Sequence, residues 1–376
     1  MFDFIYFDIM QLYAINRREK VLPMRRIAIL AEGAFERFHG KTAIGVIRYG
    51  RDTVVAVIDS TKAGMDVAQV LGVEFGKGIP IVRDIHEALT YQPDMLLIGI
   101  APFGGALPEA WRGQLLTAIN AGLDIVSGLH FFLADDTELR AAAEQRGVKV
   151  WDVRRPPEKN RVAQFIPHRP GSYTILMVGS DCATGKMSTA LELNQEACNR
   201  GLNSVFVATG QTGIMIAGNG LPIDRIISDF LAGMVEEMVL EFTDKYDWVF
   251  VEGQGALNHP GYGAVTLGLI NGCMPDAMIF CHKAGATTLE GYAHCPLPSL
   301  NRLIEVNEEA INWLCPHRRS KVVGLSLVTL GLSEQEAHYA IKLAEDETGL
   351  PATDVWRFGT AVLMDALNAT FQIVQQ

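Results

Sequence analysis

Gly179-Ser180-Asp181-Cys182-Ala183-Thr184-Gly185-Lys186-Met187-Ser188 is the stretch that decides how this chain is read. It follows the apolar run Tyr173-Thr174-Ile175-Leu176-Met177-Val178 and leads into the helical pattern Thr189-Ala190-Leu191-Glu192-Leu193. A strand, a glycine-bounded loop closing on Gly-Lys, and a helix together make the setting of a P-loop. Main-chain N–H groups of such a loop turn inward to hold phosphate oxygens, and the helix N-terminus and the lysine add positive potential. All ten residues from Gly179 to Ser188 are therefore candidate cofactor-binding residues. The competing reading is a glycine-rich strand-to-helix turn with no ligand.

The loop departs from the Walker pattern, in which four residues separate the glycines and Ser or Thr follows the lysine. Gly179 lies one residue early, and Met187 follows Lys186. A thioether does not replace the hydroxyl that ligates Mg²⁺, and Ser188 points about 100° further round the helix. Either Ser188 reaches in through altered geometry, or the metal is held weakly, or no MgATP is used. Asp181 adds a second constraint. A carboxylate beside phosphate oxygens is costly unless a metal or an amine intervenes, so its presence implies that one is near.

The chain around the loop alternates strands and helices. Tyr173–Val178, Ser204–Ala208, Trp248–Glu252, Ala277–Cys281 and Val322–Leu327 read as strands. Ser188–Arg200, Pro222–Thr243, Ser299–Cys315 and Ser333–Thr348 read as helices. The strand ending Val251-Glu252-Gly253-Gln254-Gly255 delivers Glu252 to the carboxyl edge of the sheet, where ligands bind in open α/β folds. Glu252 is a candidate base or metal ligand, and with Ser188 it would hold magnesium if MgATP is used. Thr209-Gly210-Gln211-Thr212-Gly213 reads as a polar loop at the same edge, with Gln211 and Thr212 as candidate substrate contacts beside Gln254. His259, just beyond, is a candidate base for an amine. Lys283, after the Ala277–Cys281 strand, is a candidate partner for a phosphate or carboxylate.

The first half shows the same alternation. Its strands read as Arg26–Leu30, Val54–Ile58, Met95–Ile100, Leu123–Val126 and Lys149–Val153. Its helices read as Gly64–Leu71, Ile85–Leu89, Pro108–Ala121 and Asp136–Arg146. This pattern implies a mostly parallel sheet with helices on both faces. No intact G-x-G-x-x-G is present, and the Pro/Gly loop with Gly104 and Gly105 is the better candidate for a ligand edge. The Pro-rich, charged stretch 154–171 reads as a linker. The expected organisation is an extension at 1–23, a Rossmann-like domain at 24–153, that linker, and a P-loop NTPase-like three-layer α/β/α domain at 172–376.

Length and composition set bounds. At 376 residues two domains are the natural expectation, and 49% hydrophobic residues suffice for large cores. The net charge of −11, without any basic run, argues against nucleic-acid partners. No run of about 18 apolar residues argues for a membrane span. Six cysteines without a CxxC pair point to a reducing, cytoplasmic setting rather than a disulfide scaffold. Cys281-His282 and His294-Cys295 are poor chelators if they lie on strands, because adjacent residues there face opposite ways. The apolar composition is compatible with a homo-oligomer.

The two motifs around Lys186 and Glu252 resemble P-loop enzymes of the dethiobiotin synthetase and cobyrinic-acid amidase type, which place Thr where Met187 stands. A resemblance over nearly the whole chain is carried by the loop with Cys182 and Met187, by Glu252-Gly253-Gln254-Gly255, and by Arg357-Phe358-Gly359. These are similar to a bacterial two-domain family, formerly a domain of unknown function and now named for D-glutamate N-acetyltransferase activity. It pairs a Rossmann-like with a P-loop domain. The resemblance implies acetyl-CoA as donor and an acidic D-amino acid as acceptor. Coenzyme A carries a pyrophosphate and a 3′-phosphate, so a phosphate-holding loop can bind it without hydrolysis, and the missing hydroxyl at 187 then matters little. An ATP-dependent ligase or kinase and a non-catalytic nucleotide sensor are the alternatives.

Overall fold

A computed structural model describes residues 24–36, 40–100, 102, 105–315 and 319–374. The expected extension at 1–23 and Gly104 lie outside the described residues. The chain divides into two compact units. One runs to Arg155 and includes Gln211–Pro222, and the other is Pro156–Gly210 with Ile223 onward.

The first unit is built on six parallel strands: β1 (Arg26–Leu30), β2 (Thr53–Ile58), β3 (Ile81–Val82), β4 (Met95–Ile98), β5 (Asp124–Ser127) and β6 (Val150–Asp152). Their order, β3-β2-β1-β4-β5-β6, is that of a Rossmann fold. Ile27–Leu30 and Met95–Ile98 are buried throughout, as expected for strands covered on both faces. The helices are α1 (Lys41–Tyr49), α2 (Val67–Leu71), α3 (Ile85–Leu89), α4 (Glu109–Asn120) and α5 (Thr137–Arg146). Helix α2 begins three residues later than the sequence suggests. Asp66 takes the Ala68 N–H, and Gln69 reaches back to the Asp66 N–H, closing a capping box at that point.

The second unit runs β7 (Tyr173–Gly179), α6 (Lys186–Asn199), β8 (Ser204–Val207), then, after α7 (Gln211–Ala217) of the first unit, α8 (Ser228–Thr243), β9 (Trp248–Val251), α9 (Gly263–Cys273) and β10 (Ala277–Lys283). A hairpin of β11 (Thr288–Leu289) and β12 (Tyr292–Pro296) follows. The chain then continues through α10 (Leu300–Leu314), β13 (Lys321–Val328), α11 (Glu334–Thr348), β14 (Ala352–Thr353) and α12 (Ala361–Val374). The large sheet is parallel in the order β14-β13-β10-β7-β9-β8, with β7 central. Ile175–Val178, Phe250 and Phe280 form its fully buried middle. The P-loop therefore springs from an inner strand that is anchored on both sides.

Three sequence expectations change. Gln211 and Thr212 open helix α7 rather than lying in a loop, and α7 belongs with the first unit: the Thr212 hydroxyl meets that of Thr42 at 2.7 Å. The expected helix Pro222–Thr243 is broken. Ile223–Arg225 forms a short 3₁₀ turn tied back by Ile223 N–H to the Thr209 carbonyl, Ile227 is extended, and α8 starts at Ser228. The expected linker is docked from Pro156 onward onto the second unit. There the buried Glu236 carboxylate accepts the N–H groups of Gln164 and Ile166 at 3.0 and 2.9 Å, and Arg169 reaches Asp247. Among the described residues no helix is long and apolar enough to cross a membrane.

Candidate functional site

Gly179 is the last residue of β7, not the first of the loop. It pairs with Cys281 of β10, and a Cβ there would sit 2.6 Å from the Cys281 carbonyl oxygen. The early glycine thus reflects how closely the two strands pack. The loop proper is Ser180–Gly185. Ala183 (φ +33°) and Gly185 (φ +86°) take left-handed backbone conformations, the alternation that turns successive N–H groups into one concavity. Among the described residues the N–H groups of Ala183, Thr184 and Gly185 have no acceptor. They join the first-turn N–H groups of α6, which a helix leaves free.

The rest of the loop is held by its surroundings. The fully buried Ser180 hydroxyl pairs with His282 Nδ1 at 2.8 Å, and its carbonyl accepts from the Asn258 amide at 2.9 Å. Burial, partly opposed by the Glu347 charge, holds the His282 pKa below its ordinary value. The Asp181 carboxylate accepts the N–H of Cys182 at 2.6 Å and that of Glu290, in the β11–β12 turn, at 2.7 Å. Lys186 is 6% exposed and folds back along the loop, its Nζ donating to the Asp181 carbonyl at 2.5 Å and to the Thr184 hydroxyl at 3.2 Å. Burial lowers the Lys186 pKa, opposed by the thiols of Cys281 and Cys182 and the carboxylates of Asp181 and Glu252. Met187 and Ser188 are half-buried, and the Ser188 hydroxyl makes no hydrogen bond among the described residues.

Glu252 follows β9 and is 4% exposed. One carboxylate oxygen accepts from Thr209 N–H at 2.9 Å and Gly210 N–H at 3.1 Å. Burial pushes its pKa up to about 7 against those two bonds and the nearby Lys186 charge. Gly253 lets the Lys186 side chain cross: a Cβ there would lie 2.8 Å from the lysine Cδ and 1.7 Å from the Met177 carbonyl oxygen. Gln254 packs against Gly210, and its carbonyl accepts the Thr266 hydroxyl.

His259, 5% exposed, stacks on Tyr262 at 4.6 Å and meets Tyr292 edge-on at 5.3 Å. Its Nδ1 accepts the Gly261 N–H at 3.0 Å. In the neutral ring the proton therefore sits on Nε2, which makes His259 a hydrogen donor toward a ligand. This runs against the sequence reading of His259 as a base, because that lone pair is already engaged.

The P-loop, Glu252, Gln254, His259 and Lys283 all belong to the second unit, with Lys283 exposed at the end of β10. Gln211, Thr212 and Gly105 belong to the first unit, where Gln211 packs beside Gly128 and Gly105 against His130. Sequence reasoning missed the parts of the site that come from Glu290, Tyr262 and Tyr292. A local sign is Gly291, a glycine whose φ of +79° suits the tight hairpin turn.

Two family models match the chain. Residues 168–364 match a domain of unknown function described as the DUF1611 P-loop domain, and residues 60–156 match the DUF1611_N Rossmann-like domain. A protein of Tritonibacter scottomollicae named D-glutamate N-acetyltransferase is 40% identical over 288 residues, covering 76% of this chain and 84% of its own. One of the same name from a Pseudoalteromonas species is 34% identical over 275 residues, covering 73% and 81%. The crystal structure of a DUF1611 family protein from Anabaena variabilis superposes with a TM-score of 0.85 at 41% identity, over 93% of this chain and 99% of that one.

Proposed function

The chain belongs to the DUF1611 family, and from that premise we propose that it is an N-acetyltransferase moving the acetyl group of acetyl-CoA to the amine of D-glutamate. The observation that carries this reading is the name shared by two relatives at 40% and 34% identity over most of the chain. The amine nitrogen attacks the thioester carbonyl, the C–S bond breaks, and the amine proton leaves for a base. Glu252 is the group we assign to that proton. With a pKa near 7 it is ionised often enough to accept and weakly enough to release.

In this reading the free N–H groups of Ala183, Thr184 and Gly185, with Lys186, hold the phosphates of coenzyme A. Gly179, Ser180, Asp181, Cys182, Met187 and Ser188 frame that concavity. The N–H groups of the Gly253–Gly255 turn stabilise the developing oxyanion. Gln254 and Lys283 meet the acceptor's carboxylates. A homo-oligomer fits the exposure of Trp313 at 83% and Tyr339 at 67%.

An ATP-dependent ligase is the second reading, favoured by the buried Lys186 beside Glu252. One experiment addresses both. Purified protein is incubated with acetyl-CoA and a panel of D- and L-amino acids while thiol release is followed, with calorimetry of coenzyme A and of MgATP in parallel. Thiol release with D-glutamate and binding of coenzyme A are expected. Silence across the panel, together with tight magnesium-dependent ATP binding, would move the protein to the ligase class.

A further inference from the structure

Three side chains that do not ligate in sequence-based zinc patterns converge at the loop. A ligand atom from each of Asp181, Cys182 and His259 lies within 4.8 Å of the other two. We propose that they form a binding site for a borderline-soft divalent cation, zinc above all. This does not depend on acetyl transfer.

Zinc takes thiolate, imidazole and carboxylate in tetrahedral sites, and three protein ligands with one open position is its catalytic arrangement. Ligands bound at zinc distances stand roughly 3.5 Å apart. The three atoms need to close by little more than about 1 Å. Asp181 and His259 are buried and Cys182 is half-exposed, which leaves an approach from one side. The Asp181 carboxylate is fixed by the N–H groups of Cys182 and Glu290, one on each oxygen, and each oxygen keeps acceptor capacity. Thiolate and carboxylate together neutralise a divalent charge. The hard cation magnesium has no use for the sulfur.

His259 supplies the independent sign of a ligand. Its ring is 95% buried and gripped by Tyr262 and Tyr292, and Nδ1 is engaged by Gly261, yet Nε2 has no partner among the described residues. Nε2 keeps some exposure of its own, so an incoming ion can reach it. Binding through Nε2 moves the ring proton to Nδ1 and gives up the Gly261 bond, while the Cys182 thiol proton goes to solvent. One such bond is worth far less than a thiolate-bearing zinc site. The cation also answers the electrostatic difficulty of a carboxylate inside an anion-binding loop.

The test uses full-length, tag-free protein stripped by a chelator, titrated separately with Zn²⁺ alone and Co²⁺ alone. We expect one ion per chain, proton release on binding, and a near-ultraviolet thiolate-to-cobalt charge-transfer band. Cys182→Ser, nearly isosteric, should abolish that band and weaken binding by about 100-fold or more, since losing a ligand costs at least what losing its supporting partner does. His259→Gln should keep the band and weaken binding about 10-fold or more. Circular dichroism and the thermal midpoint verify that both variants fold. Failure of the wild-type protein to bind saturably, or an unchanged cobalt spectrum in folded Cys182→Ser, overturns the proposal.

Discussion

The carboxyl edges of the two sheets hold buried carboxylates tied to main-chain N–H groups, and two of these, Asp59 in the first and Glu252 in the second, are in opposite condition. Asp59, after β2, is fully buried and receives the N–H groups of Phe35 and Thr61, the Thr61 hydroxyl at 2.6 Å and the Lys62 ammonium at 3.2 Å. Burial raises its pKa, but those donors together outweigh it and hold the group below its ordinary value. A carboxylate offers about four acceptor positions, and here they are filled by the first unit itself. Glu252 has two donors, both on one oxygen, and burial wins, pushing it up to about 7. A satisfied acid stabilises its turn. An under-served one is left with a proton affinity suited to chemistry near neutral pH.

The sharpest way to break this contrast is at Glu252. Glu252→Gln keeps the shape and the bonds from Thr209 and Gly210 but removes the proton acceptor, so kcat should fall on the order of 10³-fold. The wild-type rate should rise with pH through an inflexion near 7, as Glu252 loses its proton, and the variant's residual rate should lack that inflexion. Steady-state rates of thiol release from acetyl-CoA across pH 5–9 measure both (roughly the range over which such a group titrates). A variant with wild-type kcat and an intact inflexion would place the base elsewhere.

Gly253 comes next. Its missing Cβ leaves room for the Lys186 side chain, and the obstruction to a larger residue is backbone, the Met177 carbonyl at 1.7 Å. Gly253→Ala should cost about 3 kcal/mol of stability by overpacking and displace Lys186. Urea midpoints read the first effect, and coenzyme A affinity the second. A variant with unchanged stability and affinity would mean that the β7–β9 edge can yield where this packing says it cannot.

The parts of this contrast legible in the sequence are those set by chain-local chemistry. The apolar run ending at Gly179 and the Gly185-Lys186 step announced a strand, a turn and a helix, and the chain folds so. The Val251-Glu252 step announced an acid at a sheet edge. Less legible was anything decided by partners distant in sequence. That Asp181 is fixed by Glu290, that Ser180 pairs with His282, and that His259 Nδ1 accepts the Gly261 N–H are consequences of packing. Helix α1 was missed because Ile44, Val46 and Ile47 are β-branched residues with modest helix propensity. Its buried face, Thr42 to Val46, is fixed by tertiary packing. Helix α7 was hidden because Gln211-Thr212-Gly213 carries no capping side chain of its own. Glu252 takes up the N–H groups of Thr209 and Gly210 immediately ahead of it.

The smallest expected effect is the mirror test at Asp59. Asp59→Asn should leave acetyl transfer unchanged but cost about 2 kcal/mol, because charge-assisted bonds become neutral ones and one oxygen acceptor is lost. The pH dependence separates the two acids by sign. Asp59 has its folded pKa below the ordinary 3.8, so its contribution is present above 3.8 and lost as pH falls through the lower folded value. Glu252 has its folded pKa above the ordinary 4.5, so its contribution is full below 4.5 and lost as pH rises through about 7. Denaturant midpoints against pH should therefore show Asp59→Asn flattening the acid limb and Glu252→Gln flattening the limb between 4.5 and about 7. If Asp59→Asn instead alters the alkaline limb or the rate of acetyl transfer, the first edge is not the self-satisfied counterpart of the second, and the first unit takes part in the chemistry.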